Sequence, residues 1–169
     1  MLMISNVKYY LKNVLLNSVA ASTFTPPILR KNIYKAMGFQ IGRGSSIFPQ
    51  CFCGTDGTVR LGIGSFVNCR CFLDLSDDII IGNNVSIGFE CKFITSSHEV
   101  GFSKKRADCG IHNKIIIEDG CWLGANVTVM PGVKIASGCI IGANSLVTKD
   151  TEKDGLYVGS PAKRIKELK

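Results

Sequence analysis

The sequence predicts an all-β solenoid, a parallel β-helix with a short N-terminal helical cap and one extruded loop. Three observations carry this. Aliphatic residues recur every six positions in unbroken runs, small residues recur at fixed offsets from them, and glycine or asparagine punctuates the units. The clearest run is Ile117, Leu123, Val129, Ile135, Ile141 and Val147. A second reads Ile63, Cys69, Leu75, Ile81, Ile87 and Phe93, and a shorter one reads Ile41, Ile47 and Cys53. Glycine follows at 42, 64, 82, 88, 124 and 142. Four places after the aliphatic stand Ser45, Cys51, Val67, Val85, Cys91, Ser97, Cys121, Val127, Val133, Cys139 and Ser145. Six is a poor multiple of the helical 3.6, and a lone strand would alternate briefly and then turn. A six-residue unit is instead a short strand plus a corner. Three units close a triangular coil, and coils stack at about 4.8 Å, the spacing of strands in a sheet. Each unit buries its inward face only against its neighbours, as in other solenoids.

The elements follow in order. Residues 1–40 are expected to form a helical cap. Val7, Tyr10, Leu11, Val14 and Leu15 share one helical face. Pro26-Pro27 opens a second helix with Ile28, Leu29, Ile33, Ala36 and Met37, and Gly38 ends it. Such a cap covers the open end of the coil, where a sheet edge would otherwise be bare. The β-helix is expected over 41–151. Its period lapses over 99–114, an extruded loop carrying Lys104, Lys105 and Arg106. Residues 152–169 are read as a C-terminal tail, and the whole as one structural domain.

Composition narrows the class. With 46% hydrophobic and 20% charged residues, the 169-residue chain can build one packed core. No apolar run reaches the length of about 20 residues needed to span a bilayer. The stretch Val14-Leu15-Leu16 is interrupted by Asn17 and Ser18 and is short for a secretory leader. The eight cysteines fall mostly on repeat positions: Cys53 and Cys69 on the aliphatic one, Cys51, Cys91, Cys121 and Cys139 on the small one. Buried cysteine acts as a small hydrophobe, so packing rather than zinc or disulfides accounts for them. Reduced thiols suit the cytoplasm. The net charge of +7 calls for an anionic partner. Nucleic acid is not expected, because the lysines are scattered and lack an aromatic stacking platform. Lys8, Lys12, Arg30, Lys31 and Lys35 make the cap basic, which allows weak contact with a membrane surface.

The chain has two histidines, His98 and His112, and both border the extruded loop. Histidine is the natural general base near neutral pH. Around them the sequence resembles a known group. The aliphatic-glycine-x-x-small repeat is similar to that of the hexapeptide-repeat family, whose coil is left-handed. From Asn68 onward the chain resembles the galactoside, maltose and xenobiotic O-acetyltransferases of that family. The matching segments are Val67-Asn68, Ile81-Gly-Asn-Asn84, Thr95-Ser-Ser-His98, Cys121-Trp-Leu-Gly-Ala125, Pro131-Gly132, Ile141-Gly-Ala-Asn-Ser145, Val147-Thr-Lys-Asp150 and Gly159-Ser-Pro-Ala162. The N-terminal part resembles acetyltransferases of capsule and lipopolysaccharide gene clusters, and departs from the galactoside enzymes where those bind their sugar.

The resemblance implies acetyl transfer from acetyl-CoA to a sugar or polysaccharide hydroxyl, with His98 as the general base. It implies acceptor contacts by Asn68, Asp74 and Trp122. Asn68 also reads as a plain corner residue, Trp122 as a subunit contact, and Asp74 with Asp77 and Asp78 as a solvated turn. It implies acetyl-CoA contacts by Ala125, Ala143, Thr148, Lys149, Pro161, Lys163 and Lys166, the lysines facing the phosphates and the amide of Ala125 facing the oxyanion. It implies a homotrimer and no metal. N-acylation of an amino sugar or nucleotide sugar stays open, as does a scaffold without catalysis. A zinc enzyme on the same coil would need three histidines around the metal, and the chain has two.

Overall fold

The computed structural model describes residues 2–169, with side chains from Val7 onward. Three parallel sheets form the faces of a triangular prism. The first face stacks Gln40–Ile41, Val59–Leu61, Ile79–Ile81, Ile115–Ile117 and Lys134–Ile135. The second stacks Ser46–Ile47, Phe66–Val67, Ser86–Ile87, Trp122–Leu123, Ile140–Ile141 and Gly155–Val158. The third stacks Phe52–Cys53, Phe72–Leu73, Lys92–Phe93, Thr128–Val129 and Leu146–Val147. The second residue of each two-residue strand points inward and is buried, as Ile47, Leu73, Leu123 and Val147 show. Columns of like side chains therefore fill the axis.

The sequence phase is right for the later coils, including Ile81, Ile87 and Phe93, and two residues off in the first half of the second run. There the axial residues are Leu61, Val67 and Leu73, while Ile63 is exposed and Cys69 only half-buried. The reason lies at the third-to-first corner. Gly54–Thr58 and Asp74–Asp78 each add two residues, so these coils take 20 residues per turn, pairing Leu61 with Ile81. Coincidence hides the slip, because Ile63 lies three hexads before Ile81. Leu75 is buried, but as a corner plug beside Thr55 and Thr95 and with φ of 53°. Val67 is thus axial, and Ser97 leaves the coil altogether.

The cysteine reading stands for Cys51, Cys53, Cys91, Cys121 and Cys139, all buried and all free; Cys71, not Cys69, takes the remaining interior place. Cys51, Cys71 and Cys91 donate from Sγ to the carbonyls of Asn68, Gly88 and Gly124 in the next coil.

The cap is helical but buries other residues than the periodicity predicts. Helix α1 (Leu2–Val14) runs into a π-helical turn, Leu15–Ala20, and α2 spans Pro27–Ala36. Val7, Tyr10, Leu11, Ile28 and Leu29 are exposed, whereas Leu16, Ala20, Arg30 and Tyr34 are buried. Hydrogen bonding decides this. Arg30 donates from Nε to the Ala20 carbonyl at 2.8 Å and from Nη2 to those of Ser22 and Thr25. The Ala20 carbonyl ends the preceding helix, where carbonyls lack intrahelical partners, and those of Ser22 and Thr25 lie in the connection to α2. Asn17 clamps the strand at Cys53, donating to its carbonyl and accepting from its N–H, both at 2.8 Å.

The extruded segment is a β-hairpin. Ser96–Val100 pairs antiparallel with Ala107–His112, so it leaves the coil at Ser96, earlier than the break in periodicity. Residues after 151 also continue the structure. Gly155–Val158 extends the second face, and Lys163–Glu167 folds back on it antiparallel.

Candidate active site

The third-to-first corner builds one half of the site. The Asp74 carboxylate sits under the hairpin. Its Oδ2 accepts from the N–H and the hydroxyl of Thr95 and from the N–H and the hydroxyl of Ser96, at 2.7 to 3.2 Å. Oδ1 accepts from the Ser76 hydroxyl at 3.1 Å. Burial would raise this carboxyl's pKa, but the bonds from Ser96, Thr95 and Ser76 outweigh it and hold the group below the usual range. The strands above are thus tied to the rigid coil by one anion. His98 stands on the first of them, exposed, with Nδ1 3.1 Å from the Asp108 carbonyl on the opposite strand. A carbonyl only accepts, so Nδ1 carries the proton of the neutral ring and Nε2 is left with its lone pair outward. His112, paired in register with Ser96, lies at the hairpin's return. Thr148 and Lys149 lie at this corner, two coils further along.

The second-to-third corner is built differently. Gln50, Arg70, Glu90, Asn126 and Asn144 take left-handed φ near 60° in successive coils. Two places before the last three come glycines where the chains approach closely: a Cβ on Gly88 would lie 2.7 Å from the Ala125 nitrogen, and one on Gly124 would lie 2.7 Å from the Ala143 nitrogen. Asn144 donates to the Ala125 carbonyl at 2.9 Å. Among the described residues, neither the Ala125 amide nor the Ala143 amide has an acceptor. Two stacked N–H groups are therefore presented to the outside on a bare, glycine-lined edge. Asn68 sits at this corner too, its Oδ1 accepting from the Cys69 N–H at 2.9 Å.

Trp122 lies on the second face, 56% exposed, in the outward row that continues through Ile140 and Leu156 to Lys166. Lys163 pairs with Val158 beside it. The turn carrying Pro161 is pinned to the coil where Ala162 donates to the Leu146 carbonyl and Leu146 donates to that of Gly159.

The structure brings Asn68, Ala125 and Ala143 together at one corner, and Trp122, Lys163 and Lys166 onto the adjoining face. It does not bring His98 and Asp74 to them within one chain. The two corners are separated by the third face, about 20 Å of extended chain for a six-residue side. The hairpin anchor Thr95–Ser96 is what sequence reasoning missed. Its signal was present as two hydroxyl residues on the corner of an Asp-rich coil. Among the described residues no three of His, Cys, Asp or Glu gather as metal ligands, and no helix is long and apolar enough to cross a membrane.

Known proteins match this architecture. The model of the bacterial transferase hexapeptide (six repeats) family matches residues 114–149. A galactoside O-acetyltransferase of Lactococcus lactis is 34% identical over 149 residues, covering 88% of this chain and 72% of that protein. A putative acetyltransferase of Schizosaccharomyces pombe is 40% identical over 111 residues, of which the aligned part makes up about half of that protein, 53%. Among solved structures, a hexapeptide-repeat-containing acetyltransferase from Vibrio cholerae, complexed with acetyl coenzyme A, superposes with a TM-score of 0.83 at 28% identity over 96% of this chain and 88% of that one. A maltose O-acetyltransferase from Clostridium difficile gives 0.84 at 26% identity, covering 96% and 88%. With repeat, prism and relatives in agreement, the chain belongs to the hexapeptide-repeat acetyltransferases, enzymes on a left-handed parallel β-helix.

Proposed function

We propose that this protein transfers an acetyl group from acetyl-CoA to a hydroxyl of a sugar or polysaccharide, without a covalent enzyme intermediate. The observation that carries the reading is the contact of His98 Nδ1 with the Asp108 carbonyl at 3.1 Å. With Nδ1–H held by the Asp108 carbonyl, Nε2 is free to take the proton of an acceptor hydroxyl as its oxygen attacks the thioester carbon. General-base assistance of this kind is worth about 10²–10⁴ in rate. The tetrahedral oxyanion then meets a backbone N–H, that of Ala125, which needs no reorganisation to serve. Collapse expels the CoA thiolate, which takes up a proton, and His98 gives its own to solvent. The cofactor's pantetheine arm runs along the glycine-lined edge past Ala143, with Thr148, Lys149, Pro161, Lys163 and Lys166 toward its phosphates. Asn68 and Trp122 flank the acceptor. Asp74 acts as the anchor of the His98 hairpin, since four donors already occupy its Oδ2.

Because the base and the amides stand on different corners, we propose a cyclic homotrimer in which one chain's hairpin meets the next chain's glycine edge. The acetyl-CoA-bound Vibrio cholerae relative and the named galactoside and maltose enzymes support the donor and acceptor classes. Eight free cysteines fit a reducing, cytoplasmic location.

The test is CoA release from acetyl-CoA across a panel of sugars and oligosaccharides. Acceptor-dependent release that falls at least 10²-fold in His98→Ala supports the base. Equal rates remove it. Mixing tests the shared site. Trimers reassembled from His98→Ala chains and Lys163→Ala/Lys166→Ala chains should regain about a quarter of the sites at low acetyl-CoA, the chance that the two intact halves meet. No recovery places each site within one chain.

A further inference from the structure

We infer that the N-terminal end of the prism is a docking surface for an anionic lipid bilayer. The first 55 residues hold six lysines and arginines and not one aspartate or glutamate, so this third of the chain carries nearly all of the net charge of +7. The same segment holds ten of the 17 exposed large hydrophobic residues among the described ones. Lys12, Arg30 and Lys31 bond carbonyls of the cap and first coil, and Phe48 and Phe52 pack on Phe66 and Phe72, but Lys8, Lys35, Arg43, Phe24 and Ile28 stay exposed. Every described side chain of α1 from Val7 to Leu11 is exposed, and Val7, Tyr9, Tyr10 and Leu11 each leave more than half of their surface open. A short helix with so open a face is marginal in water. Phe24 is 96% exposed and Ile28 79%, at the mouth of a groove of about 560 Å³ between the α2 entry and the first coil.

Two classes of surface could cover such a region, and charge decides between them. A second copy would bring the same cations to the contact, unrelieved by any acid of this segment. A bilayer rich in anionic headgroups supplies the missing negative charge and a phase for the aromatic and aliphatic side chains. Exposed Lys8, Lys35 and Arg43 face headgroups, while Phe24, Ile28 and the tyrosines enter the interface, which is the composition of a surface-lying anchor rather than a crossing one. The hairpin and glycine edge lie on the corners of the prism, away from this end, so a docked molecule keeps its proposed site open to acceptors at the membrane. The inference stands independently of the acetyl-transfer mechanism.

Flotation of the full-length protein with vesicles tests it. Binding is expected to phosphatidylcholine vesicles containing phosphatidylglycerol, weakening as salt rises, and not to phosphatidylcholine alone. Phe24→Ser/Ile28→Ser and Lys8→Glu/Lys35→Glu should each weaken partitioning about tenfold, with unchanged circular dichroism. Absence of binding to the anionic vesicles, or binding by both variants equal to the parent's, overturns it. So does a change of oligomer size by light scattering in Phe24→Ser/Ile28→Ser with vesicle binding intact, since the face would then belong to a second copy.

Discussion

Two corners of the same triangle are built on opposite rules. In its last three coils the second-to-third corner repeats with little variation: Gly88, Gly124 or Gly142, then a residue at left-handed φ two places on, with the next coil so close that a Cβ would meet it at 2.7 Å. The third-to-first corner varies at every level. It is widened by two residues in two coils and extruded as a hairpin in the next, where the side chains of Asp74, Thr95 and Ser96 do the fastening. Regularity places backbone groups accurately but can offer only amides. Irregularity admits an imidazole and a carboxylate, at the cost of needing its own fastening. A site that wants both a base and an oxyanion donor draws one from each.

Removing the irregular corner's chemistry should cost most. His98→Ala is expected to lower kcat by about 10²–10⁴ while leaving the thermal midpoint unchanged, because the exposed ring packs on little. Steady-state rates and a melting curve check both halves. The regular corner should answer instead through stability. Gly124→Val puts a branched side chain where even a Cβ meets the next coil's backbone at 2.7 Å. A loss of about 1–3 kcal/mol is expected by denaturant titration, in line with overpacking elsewhere. A variant as stable as the parent would mean that the edge yields.

Asp74→Asn lies between these cases. It keeps one acceptor oxygen but loses the charge that gathers four donors. A drop in kcat of about tenfold is expected with KM for acetyl-CoA nearly constant, and the hairpin amides should exchange faster. The pH dependence has a definite sign. Because the folded carboxyl is held below its ordinary value, its contribution is complete above the unfolded value near 4 and is lost as pH falls through the folded one. Hairpin protection should therefore persist from neutral pH down to about 4 and fade below it in the parent, and be flat over that range in Asp74→Asn. The smallest effect is expected at the C-terminal strand. Lys163→Ala or Lys166→Ala should raise KM for acetyl-CoA about three- to tenfold, more weakly as salt rises, with kcat unaltered.

The later coils were readable because nothing intervenes between Ile117 and Val147, so sequence spacing and spatial stacking coincide. The second run misled because a 20-residue coil moves the frame by two, and strands alternate with period two, so Leu61 and Ile63 looked equally eligible. The cap misled for another reason. Helical periodicity counts apolar residues, yet Arg30 was drawn inside by three carbonyls that only the folded chain brings together, and the apolar faces of Val7, Tyr10 and Ile28 were left out. At the site, the candidate residues could be named one by one, but nothing in their spacing told that His98 and Ala125 belong to different corners.

The six-residue period thus determined the coil, its axial columns in the later turns, and the burial of most cysteines, because these are local consequences of strand geometry repeated in register. Tertiary structure alone decided the width of the third corner, the saturation of Asp74 by Thr95 and Ser96, the outward Nε2 of His98 and the unpaired amides of Ala125 and Ala143. Each depends on groups from different coils meeting in space, and hydrogen bonds between coils leave no mark in the hydrophobic pattern.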